Sequence, residues 1–454
     1  MGTIHSQAMQ YVYQQVLQRL FERFTQAQRA SLQLLIQRLL VAAGGAERID
    51  GFKVMLAYGG GQTSAIALAF LRAAQLSIAA RSPGTFSLRV VATAQAGTSS
   101  TVLGNIDRAF SAMMLYDDPR VDLLILDNGT LRDFDVRQAI SRDQQQAERR
   151  DTLVIGHLTA GQARATFFNR CYLDLVELYR QGSQWEGGVD AVINAVPQPK
   201  RKRYMAWGRR MLREAGGLNQ HPLEAFPAAM FQGFAMLRNK QHSQTLGEPM
   251  PTQTAEPPAR APRFLNIDDL LIGVEPGTGD LFLSLLGLRF DDLAFGYNES
   301  AGVNPLLVAH FQGLRAEYVE GRSYQAGIDD YVRQSLQLAR LKPMPPSLLN
   351  STRSQQGDGA AERQRQLASD LAWQAYGLSE TQLVCLLFAP FVDQGRNLSV
   401  FLNRCAPGML AATPLLHKAL QAKPASAPVI QWLENTSGLP LETLQMLYQR
   451  SLAN

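Results

Sequence analysis

Phe52-Lys53-Val54-Met55-Leu56-Ala57-Tyr58 runs straight into Gly59-Gly60-Gly61-Gln62-Thr63-Ser64, and that turn opens onto the apolar stretch from Ala65 to Ala80. A strand, a glycine turn and a helix in this order bring backbone N–H groups to a helix N-terminus, where the macrodipole favours anions. The same alternation repeats downstream. Strand 87–94 leads to a helix over 100–115, and strand 121–126 leads to a charged helix over 130–149. A further helix over 161–181 ends near Gly187-Gly188-Val189-Asp190. Strands that are apolar throughout, joined by helices, predict an α/β fold with a parallel sheet layered between helices. Ligands of such sheets sit at the carboxyl ends of the strands, here the Gly59 turn, the Ala94 to Ser100 turn and Asp127-Asn128-Gly129.

Upstream of this block, Val12, Val16, Leu20 and Phe24, then Leu32, Leu35, Ile36, Leu39 and Leu40, fall at helical spacing. They predict one long or two consecutive amphipathic helices over 8–43, ending at Gly44-Gly45. Downstream, Pro249, Pro251, Pro257, Pro258 and Pro262 lie among polar residues and mark a linker. The chain is therefore read as an α/β domain over 1–240, a linker over 241–263 and a mixed segment over 264–342. A flexible linker over 343–365 and a helical C-terminal domain over 366–454 complete it.

Composition narrows the function classes. The chain has 454 residues, 46% hydrophobic, enough for two or three domains with real cores. No apolar run reaches the ~18 residues of a membrane span, and the Gln- and Arg-rich start does not resemble a secretory signal. A cytoplasmic protein is expected. Met1-Gly2-Thr3-Ile4-His5-Ser6 fits a loose myristoylation pattern of little weight. Cys171, Cys385 and Cys405 form no CxxC, and the histidines form no metal-spaced pair, so no metal site is expected. There is no Gly-x-Ser-x-Gly and no Walker loop. The net charge of +5 is concentrated in Lys200, Arg201, Lys202, Arg203, Arg209, Arg210 and Arg213, a candidate nucleic-acid or acidic-partner patch or simply a solvated face.

Taken together and in order, these signals resemble the tubulin and FtsZ superfamily, whose signature is a strand followed by GGGTGSG or GGGTGTG. The resemblance covers about residues 25–195. It implies a Rossmann-type layered domain and a guanine nucleotide, GTP or GDP, held by Gly59, Gly60, Gly61, Thr63 and Ser64. Asn105 would sit near the ribose, Asn128 would recognise guanine and Asn169 would supply the second guanine contact. Asp190 would belong to the loop that completes a neighbouring subunit's active site. Each motif also has a purely structural reading: glycines for a tight turn, Asn128-Gly129 for a turn, Asn169 as a helix-start residue.

The departures bear on chemistry. In GGGQTSA, Gln62, Thr63 and Ala65 replace a threonine and two glycines of the family pattern. Gly188-Val189-Asp190-Ala191-Val192-Ile193 keeps only the first catalytic acid, and no ribose-binding acid stands in Gln95 to Ser100. Hydrolysis is expected to be slow or absent. The first 58 residues also cannot hold the two strands and three loops that precede the family's signature. A circular permutation would supply them from Leu270 to Asp280, the helix Leu281 to Leu286 and the run Leu293 to Asn298. A partner chain could supply them instead, or nucleotide binding has been lost.

Three functions follow. The first is a divergent tubulin-like assembly or scaffold component that self-associates head to tail, with weak or lost GTP binding and at most weak GTPase activity. The second is a non-catalytic adaptor that binds a protein partner through its helical tail. The third is a nucleic-acid-associated protein that uses the basic stretch 200–213, with Tyr204 and Trp207 available for stacking.

Overall fold

The computed structural model describes residues 3–138, 140–196, 262–271, 285–289, 305–340 and 360–452, with positions 198 and 202. Its centre is a six-stranded sheet of order β4-β3-β2-β1-β5-β6. The strands are β1 (Lys53–Tyr58), β2 (Ser87–Thr93), β3 (Val121–Asp127), β4 (Thr130–Asp133), β5 (Ala191–Asn194) and β6 (Arg263–Asn266). All neighbours pair in parallel except β4, which returns antiparallel to β3.

Side-chain alternation along β1 builds two layers. Val54, Leu56 and Tyr58 enter one apolar cluster with α1 (Thr3–Arg23), α2 (Gln26–Ala43), α3 (Gln62–Ala79) and α4 (Ser100–Ala112). Met55 and Ala57 face the other way, toward Leu178 and Tyr179 of α6 (Ala163–Gln184). Period-two alternation in a strand buried on both faces thus places α3 and α4 on one side of the sheet and α6 on the other.

The first three strands, α3 and α4 lie close to their expected places. Thr25 divides the expected 8–43 helix in two: its hydroxyl accepts the Gln28 N–H while the Gln28 side chain accepts the Thr25 N–H, a capping box that starts α2. The predicted charged helix over 130–149 is different. Thr130–Asp133 forms β4 against β3, and α5 begins at Arg142 and runs to Leu158. The turn between β3 and β4 has positive φ at Asn128 (46°) and Gly129 (77°), the geometry that makes Asn-Gly a preferred two-residue hairpin turn.

A second change concerns Gly188 to Ile193, expected as a loop. Its last residues form β5, with Ile193 only 1% exposed and paired with Leu56. β5 and β6 occupy the edge of β1 that the sequence left open. Leu270 of the permuted candidate lies in a turn just after β6, and 272–280 and 293–298 lie outside the described residues.

The C-terminal helices form a separate apolar cluster with α5 and the start of α6. They are α7 (Pro305–Tyr318), α8 (Tyr324–Arg340), α9 (Ala360–Tyr376), α10 (Glu380–Phe388), α11 (Leu398–Cys405), α12 (Thr413–Leu420), α13 (Ala427–Ser437) and α14 (Leu441–Tyr448). β6 starts at Arg263 and α9 at Ala360, inside the two segments read as linkers, whose residues 241–261 and 343–359 lie outside the described residues.

Candidate functional site

Where a parallel sheet reverses its winding, adjacent connections diverge and leave a crevice at the carboxyl ends of the strands. Here that switch lies at β1, with β2 on one side and β5 on the other. Gly59, Gly60 and Gly61 follow β1 at this end of the sheet. Asn194-Ala195-Val196 ends β5 at the same end, and the Asn194 side chain accepts the Val196 N–H at 3.0 Å. The sequence reading did not single out Asn194, and no local motif marks it.

The glycine turn is packed from behind. Gly60 has φ +70°, and a Cβ there would sit 2.9 Å from Val102 Cγ1 and 3.0 Å from Ile106 Cγ1 of α4. Gly61 is the N-cap of α3 in extended conformation, and no side chain caps that helix. Ser64 Oγ donates to the Gly61 carbonyl at 2.9 Å, so the hydroxyl is turned onto its own turn. Thr63 is half-buried beside it, and Ala65 is fully buried.

Asn105 lies on α4, one turn from Val102. Its Nδ2 donates to the Arg289 carbonyl at 2.8 Å, and its Oδ1 accepts the Arg289 N–H at 2.7 Å. Both functions of the amide bond the Arg289 backbone, and its Oδ1 also accepts Arg108 Nη2 at 2.6 Å.

Asn128 is exposed in the hairpin turn, and its N–H donates to Gln144 Oε1 at 3.1 Å. Asn169 lies in the second turn of α6, and its side chain is outside the described residues. Asp190 is at the far end of β1. Its Oδ2 accepts the Lys53 N–H at 2.9 Å, its own N–H donates to the Lys53 carbonyl, and its carbonyl accepts the Arg263 N–H. The acid ties together the amino ends of β1, β5 and β6. At about 3.3 Å per residue, β1 separates it from the glycine turn by about 20 Å.

Comparison with protein-family models, curated proteins and solved structures finds no match to this chain.

The carboxyl ends of β2 and β3 are filled by polar side chains that the sequence reading missed. Gln144 Nε2 donates to the Ala94 carbonyl and to Glu148 Oε1, and Glu148 Oε2 accepts the Ala96 N–H at 2.8 Å. Gln144 and Glu148 are 4% and 3% exposed, so burying them is tolerable only because these bonds are made. Asp127 accepts from Ser141 Oγ at 2.8 Å and from Arg132 Nε at 2.9 Å. The Ser141-x-x-Gln144 spacing was a helix-start signal in the sequence, and Ser141 Oγ does accept the Gln144 N–H. These bonds tie the loops after β2 and β3 to α5.

Of the basic stretch, Lys202 is described and exposed, whereas Lys200, Arg201, Arg203, Arg209, Arg210 and Arg213 lie outside the described residues, as do Tyr204 and Trp207. Among the described residues no group of three His, Cys, Asp or Glu is placed to hold a metal ion, and no helix is long and apolar enough to cross a membrane.

Proposed function

We propose that the protein is a tubulin-like assembly or scaffold component in which guanine nucleotide binding is weak or lost and hydrolysis is absent. The observation that carries this reading is Asn105: its amide is satisfied by the backbone of Arg289, not held open for a ligand. The other motif residues point the same way. Gly60 is needed for packing against α4, Asn128 forms a hairpin turn, and Asp190 Oδ2 accepts the Lys53 backbone N–H.

Head-to-tail assembly is supported by polarity. The glycine turn and Asp190 lie at opposite ends of β1, so a surface built on one can meet a surface built on the other in a heterologous contact. A second reading, an adaptor acting through its helical tail, is favoured by Trp373 of α9, which is 63% exposed.

Calorimetry with GTP and GDP, paired with sedimentation over a range of protein concentrations, tests the proposal. Concentration-dependent assembly without nucleotide heat is expected. Tight GTP binding or measurable GTP turnover would overturn it, and a monomer at every concentration would favour the adaptor.

A further inference from the structure

We propose that a cleft between α5, α10 and the turn joining α13 to α14 binds a free α-amino acid with an aliphatic side chain, held as its zwitterion. The cleft has a volume of about 410 Å³, within the range of roughly 300–1,000 Å³ typical of small-molecule sites. Its lining carries one cation, Arg149, and one carboxylate, Glu434, beside the amides of Gln382 and Asn435. Leu439 and Pro440 supply an apolar wall for the side chain.

Backbone bonds fix both charges. Arg149 Nε donates to the Gly377 carbonyl and Nη1 to the Gly438 carbonyl, each at 3.2 Å, which clamps the guanidinium between the C-terminal ends of α9 and α13. Its Nη2 takes part in neither bond. Glu434 Oε1 accepts the Leu441 N–H at 3.0 Å, which leaves Oε2 for another donor. Among the described residues Arg149 and Glu434 form no ion pair, with each other or with any other side chain. Opposite charges that share a cleft and are held apart complement a ligand that carries both. The ligand carboxylate meets Arg149 and its ammonium group meets Glu434, two charge-assisted hydrogen bonds. A simple anion would be repelled by Glu434 and a simple cation by Arg149, so the lining selects the zwitterion.

The walls are preorganised. Ser437 Oγ donates to the Leu433 carbonyl at 2.7 Å and accepts the Leu439 N–H at 3.1 Å, which sets the turn after α13. Gln382 Nε2 donates to the Asn435 carbonyl at 3.3 Å, while Gln382 Oε1 accepts the Ser379 N–H at 3.1 Å. Gly438 has φ +75°, and a Cβ there would lie 2.9 Å from Gln382 Nε2 and 3.0 Å from Leu153 Cδ1. The Asn435 side chain is exposed and makes no hydrogen bond among the described residues, so its amide is open to the ligand. Burial holds the Arg149 guanidinium below its ordinary value, a cost that a bound carboxylate offsets.

Calorimetric titration of the full chain with L-leucine, isocaproate and isoamylamine tests this, since isocaproate lacks the ammonium group of leucine and isoamylamine lacks its carboxylate. L-Leucine should bind, and each analogue should bind about tenfold more weakly or less, the loss expected for one charge-assisted contact. Glu434→Gln should weaken leucine about tenfold. Its amide oxygen can still accept the Leu441 N–H, so the turn is kept. Asn435→Ala, which removes an exposed side chain, should weaken leucine as well, and Arg333→Gln, on α8, should leave it unchanged. No leucine binding to the unmodified protein, binding that Glu434→Gln leaves unchanged, or isocaproate binding as tight as that of leucine overturns the proposal.

Discussion

Arg72 and Asp118 form an ion pair at 2.7 Å with both side chains fully sealed from solvent. Arg72 also reaches Gln75 and the carbonyls of Met113 and Met114, and Arg120 reaches the same carboxylate from the rim. Tyr13 of α1 covers both guanidinium groups, 5.1 Å and 4.9 Å from its ring centroid. Removing one partner strands the other charge in the core. Asp118→Asn is expected to cost about 3–5 kcal/mol, read as a lower midpoint in urea unfolding. Replacing Arg72 and Asp118 together by Met and Leu should cost much less, and equal losses would deny the coupling.

Two buried histidines predict a loss of stability in mild acid. Burial lowers His157 to about 3, and burial, opposed by the Glu380 charge, lowers His310 to about 4. Among the described residues His157 has no hydrogen-bond partner at either nitrogen, and His310 Nδ1 meets the Tyr324 hydroxyl at 2.7 Å. Because the folded values lie below the unfolded value of about 6.5, the unfolded chain binds more protons in this window. Stability is complete above pH 6.5 and falls as pH drops, by roughly 1.4 kcal/mol per pH unit for each group until its folded value is reached. Urea midpoints at pH 7 and pH 5 should differ by about 4 kcal/mol of stability, and His157→Leu should remove about half of that difference.

At the glycine turn, Gly60→Ala places a Cβ against Val102 and forces a residue with a side chain to φ +70°. A cost of about 2–4 kcal/mol is expected from strain and overpacking combined. Gly61→Ala, at φ −89°, should cost less than about 1 kcal/mol. Thermal unfolding of the two variants separates the packing role from a shared need for backbone N–H groups.

Asn128 offers a test with opposite outcomes for its two roles. As a left-handed turn residue it should be replaceable by glycine at almost no cost, whereas Asn128→Ala should lose about 1 kcal/mol. Any GTP heat present in the parent and abolished by Asn128→Gly would instead restore a base-recognition role.

Much of the central fold was legible because local signals agree. Around 52–127, apolar strands, glycine or serine helix starts and helical periodicity succeed one another at short range, and β1, α3, β2, α4 and β3 fall where they were expected. β4 was missed although Asn128-Gly129 announced a hairpin, because the charged residues beyond it read as helix. β5 and β6 were missed for a different reason. Each has four residues, and each is a strand because β1 has an edge to fill, a fact that no window around 191 or 263 contains. The site divides in the same way. The glycine turn was plain, but the bond from Asn105 to Arg289 spans 184 residues, and the pairing of Arg72 with Asp118 hides a charge inside an apolar helix.

The late arrival of β5 also has a cost during synthesis. β1 ends at Tyr58, and the strand that covers its second edge is complete only at Asn194. At ribosomal rates of about 5–20 residues per second, that edge waits on the order of ten seconds for its partner. Throughout this interval the apolar strand Lys53–Tyr58 can pair only with β2 and offers its other side to any nascent neighbour. The nascent chain is therefore most vulnerable to aggregation between translation of residues 58 and 194, and chaperone capture should be concentrated on ribosomes that have passed the first of these and not yet reached the second.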